Sequence, residues 1–112
     1  MATLQALYYR LEGHEPVAVA DGLEWAVFFE TADRTVARDA VGPVEVSTVF
    51  LGIDHRWGEG LPLLFETMVF GGPLDGEQVR SATWADAVAG HAQMLQRVKE
   101  HSFAGSPATE EE

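Results

Sequence analysis

The sequence predicts an α+β fold in which an antiparallel sheet of about four to five strands packs against two helices. Short segments with apolar residues at every second position alternate with glycine-containing turns, as in antiparallel strands. Two further segments carry helical spacing behind a capping residue. The chain has 112 residues and is 46% hydrophobic, which suits one domain with one core. We therefore expect a single domain over residues 1–101 and a disordered acidic tail over residues 102–112.

The first strands are predicted to form a hairpin. Within residues 4–11, Leu7, Tyr9 and Leu11 share one side at a spacing of two. A glycine-containing turn at 12–14 then leads into a short partner strand at 16–19. His14 lies in this turn, where we expect it to be solvated.

Both helices are predicted from their N-terminal caps. Asp21 precedes Glu24 by three residues, which favours a short helix near residues 22–32, packed on the sheet. Thr83 and Asp86 repeat this pattern at the start of a C-terminal helix. That helix should bury one apolar stripe, made of Trp84, Ala87, Val88, His91, Leu95 and Val98.

The remaining strands are predicted between residues 35 and 82. A weak strand at 35–41 stops at Gly42, and the strongest strand follows at 44–53. Its second half is apolar on both sides, which is typical of a central strand covered on two faces. After a long loop at 54–62, residues 63–70 should pair with it antiparallel, and 79–82 should form an edge strand.

Composition excludes several classes of function. The formal net charge is −11, part of it from three terminal glutamates, so direct binding to nucleic acid is disfavoured. The acidity indicates either a solvated surface or mimicry of nucleic acid. Without cysteine, neither disulfides nor thiolate chemistry are available. No apolar run is long enough to span a membrane, and no signal peptide is recognisable, so we expect a cytoplasmic protein.

The loop after the strongest strand is the first candidate site. It begins with Asp54, His55, Arg56 and Trp57, directly after a buried strand that would hold them rigidly. Arginine and tryptophan are frequent at binding hot spots. The structural alternative is a hairpin loop in which Trp57 folds back on the core and Asp54 hydrogen-bonds its own turn.

Two polar residues in apolar surroundings are the second candidates. Glu66 lies within an apolar strand, so it should be either exposed or paired with Arg38, Arg80 or a histidine. His91 lies on the apolar stripe of the last helix, where a histidine usually donates to a backbone carbonyl.

A divalent metal site is the minority interpretation of these residues, and no other cofactor is expected. If the last helix crosses the hairpin, His55, Glu66 and His91 converge, and two histidines with a carboxylate are a suitable ligand set. Asp54 would then lie in the outer shell. His101, near the end of the helix, is expected to be solvated.

Three blocks of sequence form a recognisable pattern. They are residues 47–55 (S-T-V-F-L-G-I-D-H), 64–72 (L-F-E-T-M-V-F-G-G) and 83–91 (T-W-A-D-A-V-A-G-H). Together they resemble a group of short, uncharacterised proteins encoded in tailed phages and prophages, mostly of high-GC bacteria. No activity is established for that group, so the resemblance implies no catalytic residues. It implies a phage or prophage accessory protein acting in the cytoplasm of the bacterial host.

Three functions are consistent with these observations. The first is non-enzymatic binding or inhibition of a host or defence component, so that the partner is a host or phage protein; a homo-oligomer is left open. The second is a small metal-dependent hydrolase that uses His55, Glu66 and His91. The third is a small-molecule sponge with a pocket lined by Arg56, Trp57 and Trp84.

Overall fold

The computed structural model describes residues 8–54 and 60–105 and confirms the α+β class. Six strands form one two-stranded and one four-stranded antiparallel sheet, accompanied by two helices. In chain order the elements are β1 (Tyr8–Glu12), β2 (Glu15–Val19), α1 (Gly22–Thr31), β3 (Thr35–Val41), β4 (Val44–Phe50), β5 (Phe65–Phe70), β6 (Gln78–Ser81) and α2 (Trp84–Gly105).

The four-stranded sheet has the order β3-β4-β5-β6 and carries α2 on one face. Burial alternates strictly along β4, so that Val46, Thr48 and Phe50 face α2 while the residues between them are half-buried on the opposite face. The expectation that this strand is covered on two faces is therefore wrong. The strand also ends at Phe50 rather than at 53, because the chain leaves the ladder at Gly52, whose φ is +79°.

The β1–β2 hairpin is a separate sheet, whereas the sequence suggested one sheet. The hairpin is attached to the segment after β4. The Tyr9 N–H donates to the Gly52 carbonyl at 2.8 Å, and Tyr8 forms an isolated antiparallel bridge with Ile53.

The predicted cap of α1 is confirmed, because the Asp21 carboxylate accepts a hydrogen bond from the Leu23 N–H at 2.9 Å. The helix contacts β1 and β2, so it is the hairpin that α1 covers.

The C-terminal helix α2 begins as predicted, since the Thr83 hydroxyl accepts from the Asp86 N–H at 3.1 Å. Its buried residues are Ala87, His91, Met94 and Val98. The predicted stripe was wrong at Val88, which is 46% exposed. The helix ends at Gly105, within the segment 102–112 that the sequence predicted to be a disordered tail. In the described part of the chain, no helix is both long and apolar enough to cross a membrane.

Two clusters of buried side chains make up the core. One lies under the middle of α2 and contains Val44, Val46, Val69, Met94 and Val98. The other lies where the hairpin, α1 and the sheet meet, and contains Phe50, Leu64, Phe65 and Ala87, with Tyr9, Leu11, Phe28, Val36 and Trp84 packed around them. The second cluster therefore joins the two sheets and fixes the position of Trp84.

Candidate binding cleft and a buried polar chain

An open cleft lies between the tip of the β1–β2 hairpin, the segment before β5 and the start of α2. Its volume is about 510 Å³, within the range of ligand pockets. The described residues of its wall include three rings, two prolines, five small or aliphatic residues and one carboxylate; they are Tyr9, His14, Trp84, Pro16, Pro62, Leu61, Leu64, Ala82, Thr83, Ala85 and Glu15. The second core cluster supports this wall from below, so the cleft rests on a rigid base.

Trp84 is the central ring of the cleft. The His14 imidazole stacks on it, with the ring centroids 3.7 Å apart and the planes 4° from parallel. The Phe65 ring meets Trp84 edge-on at 6.2 Å and 89°, which ties Trp84 to the core. Trp84 was predicted to be a binding residue, and the structure places it in a cleft. His14 is exposed but not simply solvated, because its ring face is covered by Trp84.

The predicted loop site borders this cleft. The Asp54 carboxylate accepts from the Leu63 N–H at 3.2 Å, as the structural interpretation of Asp54 requires. Leu61 and Pro62, at the other end of the loop, line the cleft. The three further residues predicted for this site, His55, Arg56 and Trp57, lie outside the described residues.

Glu66 forms a salt bridge with an arginine of the neighbouring strand. It lies in β5 on the face that α2 does not cover, directly opposite Arg80 in β6. The Arg80 Nε–H donates to the Glu66 carboxylate at 3.1 Å, and 16% of the Glu66 side chain is exposed. Arg38, the other arginine considered, instead bonds Glu45, and this hydrogen bond raises the pKa of Arg38 above its ordinary value.

A double-mutant cycle on Arg80→Ala and Glu66→Gln should give a coupling free energy of about 0.5–1 kcal/mol. The pair is partly exposed, so solvent weakens it, but the sheet ladder holds both side chains in register. Urea unfolding of the two single variants and the double variant measures this coupling. A coupling indistinguishable from zero would show that Glu66 is held by packing alone.

His91 is part of a buried chain of four polar side chains. Its Nδ1 lies 2.8 Å from the Thr48 hydroxyl, which lies 2.6 Å from the Thr67 hydroxyl. Its Nε2 lies 2.8 Å from the Asp39 carboxylate. Thr48 and Thr67 are opposite each other in the β4–β5 ladder, on the face that α2 covers. His91 therefore bonds side chains from two strands, Thr48 in β4 and Asp39 in β3, rather than the backbone carbonyl expected from the sequence.

The direction of these hydrogen bonds follows from the donors available. An ionised carboxylate can only accept, so we assign the proton on His91 to Nε2, facing Asp39. Nδ1 of the neutral ring then accepts from Thr48, and Thr48 accepts from Thr67. Each buried polar atom of the ring and of Thr48 thus has a partner, which avoids the free-energy cost of an unsatisfied group.

Hydroxyl, imidazole and carboxylate are also the groups of a nucleophilic triad. In this protein the hydroxyls of Thr48 and Thr67 lie at the closed end of the chain, with exposures of 0% and 1%. The open end is Asp39, whose side chain is 51% exposed. A substrate therefore meets the carboxylate and does not reach a hydroxyl, so the arrangement serves the core rather than nucleophilic attack.

Two of the three proposed metal ligands, Glu66 and His91, are not brought together. Glu66 lies on the uncovered face of the four-stranded sheet, whereas His91 lies between the other face and α2. The sheet separates them, so they cannot share one ion at ordinary bond lengths. Over residues 8–54 and 60–105, no group of three or more histidine, aspartate or glutamate side chains is arranged to hold a metal ion.

Sequence reasoning missed residues in both of these features, among them Glu15, Pro16 and Pro62 in the cleft. Thr48, Thr67 and Asp39 belong to the polar chain, and His14 belongs to the cleft. The alternation of residues along β4 could have indicated that Thr48 is buried, because Thr48 shares a face with Val46 and Phe50.

Comparison of the chain with protein-family models, with curated proteins and with solved structures gives no significant match.

Proposed function

We propose that this chain is a non-enzymatic binding protein that takes part of a partner protein into the cleft beside Trp84. The resemblance to phage and prophage proteins suggests that the partner is a host or defence component in the bacterial cytoplasm. The observation that carries the proposal is the His14–Trp84 stack at the wall of an open cleft of about 510 Å³. A half-buried tryptophan in a well-packed pocket is typical of binding hot spots.

The chemistry of the cleft supports binding over catalysis. Its titratable side chains are Tyr9, His14 and Glu15. The imidazole of His14 lies flat on Trp84, an orientation that serves packing. The hydroxyls of Thr48 and Thr67, which share the buried hydrogen-bonded chain with a histidine and a carboxylate, are inaccessible to a substrate because both residues are buried in the core. A metal-dependent hydrolase gains no support either, since Glu66 and His91 lie on opposite faces of the sheet.

Affinity capture from a bacterial host lysate tests the proposal. We expect a protein that is retained by the unaltered chain and is lost from both Trp84→Ala and His14→Ala. Binding of that protein, once purified, should weaken at least about tenfold in each variant, as for a hot-spot residue. His14→Ala matters because His14 is exposed, so this variant keeps the contact of Trp84 with Phe65.

His101→Ala is the matched control, since His101 is an exposed histidine at the other end of α2. This variant should retain the partner fully. Retention of the same protein by the cleft variants and by the control would contradict the proposal, as would the absence of any retained protein.

A small-molecule sponge is the second candidate, because the volume of the cleft also suits a small ligand. Native mass spectrometry of the purified chain distinguishes the two functions. A co-purified small molecule that is absent from Trp84→Ala would favour the sponge.

A further inference from the structure

The charge in and around the cleft is negative. Among the described residues that line it, Glu15 is the carboxylate, and neither lysine nor arginine is present. The whole chain carries a formal net charge of −11. Such a field favours the approach of positively charged segments and disfavours acidic ones. Charge complementarity therefore points to a cationic occupant.

The wall of the cleft is also suited to a flat group. The His14 imidazole lies within 4° of the Trp84 plane, so the cleft already contains one stacked pair of planar rings. Tyr9 supplies a further ring to the same wall. Arginine is the cationic side chain that combines a flat, delocalised charge with stacking on aromatic rings, and its fork of donors fits a carboxylate such as Glu15.

Two prolines complete the recognition surface. Pro16 in β2 and Pro62 before β5 both line the cleft. Grooves lined by aromatic rings are docking sites for extended proline-containing segments, and the two prolines add flat apolar surface beside the rings. Such segments lose little conformational entropy on binding, because the polyproline II conformation is already populated in the free peptide.

We propose that the cleft binds an arginine side chain carried by an extended, proline-containing segment of a partner protein. The guanidinium group stacks on the outer face of the His14 imidazole, whose inner face lies on Trp84, and pairs with the Glu15 carboxylate. The neighbouring prolines of the segment lie against Pro16 and Pro62. This inference rests on the proposed binding function and adds the chemistry of the partner.

Isothermal titration with defined peptides tests the inference. The probe is an acetylated, amidated Gly-Pro-Arg-Pro-Arg-Pro-Gly peptide, compared with the same peptide carrying citrulline or lysine in place of arginine. Citrulline keeps the planar shape and removes the charge. We expect saturable binding of the arginine peptide, a loss of at least about tenfold with citrulline, and a smaller loss with lysine, which has the charge without the planar group.

Variants of the chain locate the binding. Glu15→Gln and His14→Ala should each weaken the arginine peptide at least about fivefold, and Trp84→Ala should abolish saturable binding. The control is Glu100→Gln, which removes the same charge about 24 Å from Trp84 along α2; it should leave binding unchanged. Urea unfolding confirms that Glu15→Gln and His14→Ala, both at exposed positions, are folded.

Three outcomes would overturn the inference: no saturable binding of the arginine peptide, equal affinity for the citrulline peptide, or equal losses in Glu15→Gln and Glu100→Gln. The last result would assign the binding to the overall charge of the chain. If a purified partner still depends on Trp84 and His14 while the peptide does not bind, the arginine inference fails and the proposed function stands. If the peptide binds at the cleft but no partner depends on it, the proposed function fails instead.

Discussion

Replacing His91 with alanine is expected to lower the free energy of unfolding by about 3 kcal/mol. The ring is 5% exposed, so its removal leaves a void between α2 and the sheet. It also removes the acceptor of the Thr48 hydroxyl, which is fully buried and keeps only Thr67 as a side-chain partner. Urea unfolding followed by circular dichroism measures the change as a shift of the midpoint at constant slope.

Two further variants separate the causes of this loss. Asp39→Ala removes the exposed end of the same chain, where water replaces the carboxylate, and should cost less than about 1 kcal/mol. The triple variant His91→Leu, Thr48→Val and Thr67→Val should recover part of the loss of His91→Ala, because it leaves neither buried hydroxyl of the chain without a partner. A cost for Asp39→Ala equal to that of His91→Ala would contradict this account.

Replacing Gly52 with alanine is expected to destabilise the protein by about 2–4 kcal/mol, the sum of backbone strain and overpacking. Gly52 has a φ of +79°, which residues with a Cβ rarely adopt. A Cβ at this position would lie 2.9 Å from Trp25 Nε1 and 3.3 Å from the Tyr9 carbonyl oxygen. Since Gly52 also accepts the Tyr9 N–H, any shift that relieves the contact weakens the attachment of the hairpin.

Gly42→Ala is the matched control for this prediction. Gly42 has a φ of +57°, but nothing lies within 4 Å of the position that its Cβ would occupy. It should therefore show the backbone term alone, about 1–2 kcal/mol. Urea unfolding of both variants gives the difference, which we assign to the close approach of Trp25. Equal losses in the two variants would show that the contact with Trp25 relaxes without cost.

The sequence predicted part of the candidate site. Trp84 was named as one wall of a small-molecule pocket together with Arg56 and Trp57, and Trp84 lines the cleft. His14 could not be identified in the same way. Its contact with Trp84 depends on the angle at which the hairpin meets α2, and that angle is set by the hydrogen bond from Tyr9 to Gly52 and by the second core cluster.

For Glu66 and His91, too, the sequence predicted some features and not others. The apolar setting of Glu66 predicted a partner, and Arg80 is that partner, because cross-strand neighbours on one face lie within reach of each other. The setting of His91 predicted burial, which the structure confirms. Its partners were not predictable, since Asp39 and Thr48 reach it only through the order of β3 and β4 under α2. Alternation along β5 places Glu66 on the other face of the sheet and so separates two of the predicted metal ligands.

The sequence by itself determined the elements of this protein: the strands, the two capped helices and the α+β class follow from local spacing, turns and caps, which depend on neighbours in the chain. Tertiary structure alone decided that the hairpin forms its own sheet, that one face of β4 is covered, and that Trp84 meets His14 in an open cleft. The physical reason is that alternation fixes which side chains share a face, whereas the packing of faces against each other depends on contacts between residues far apart in sequence.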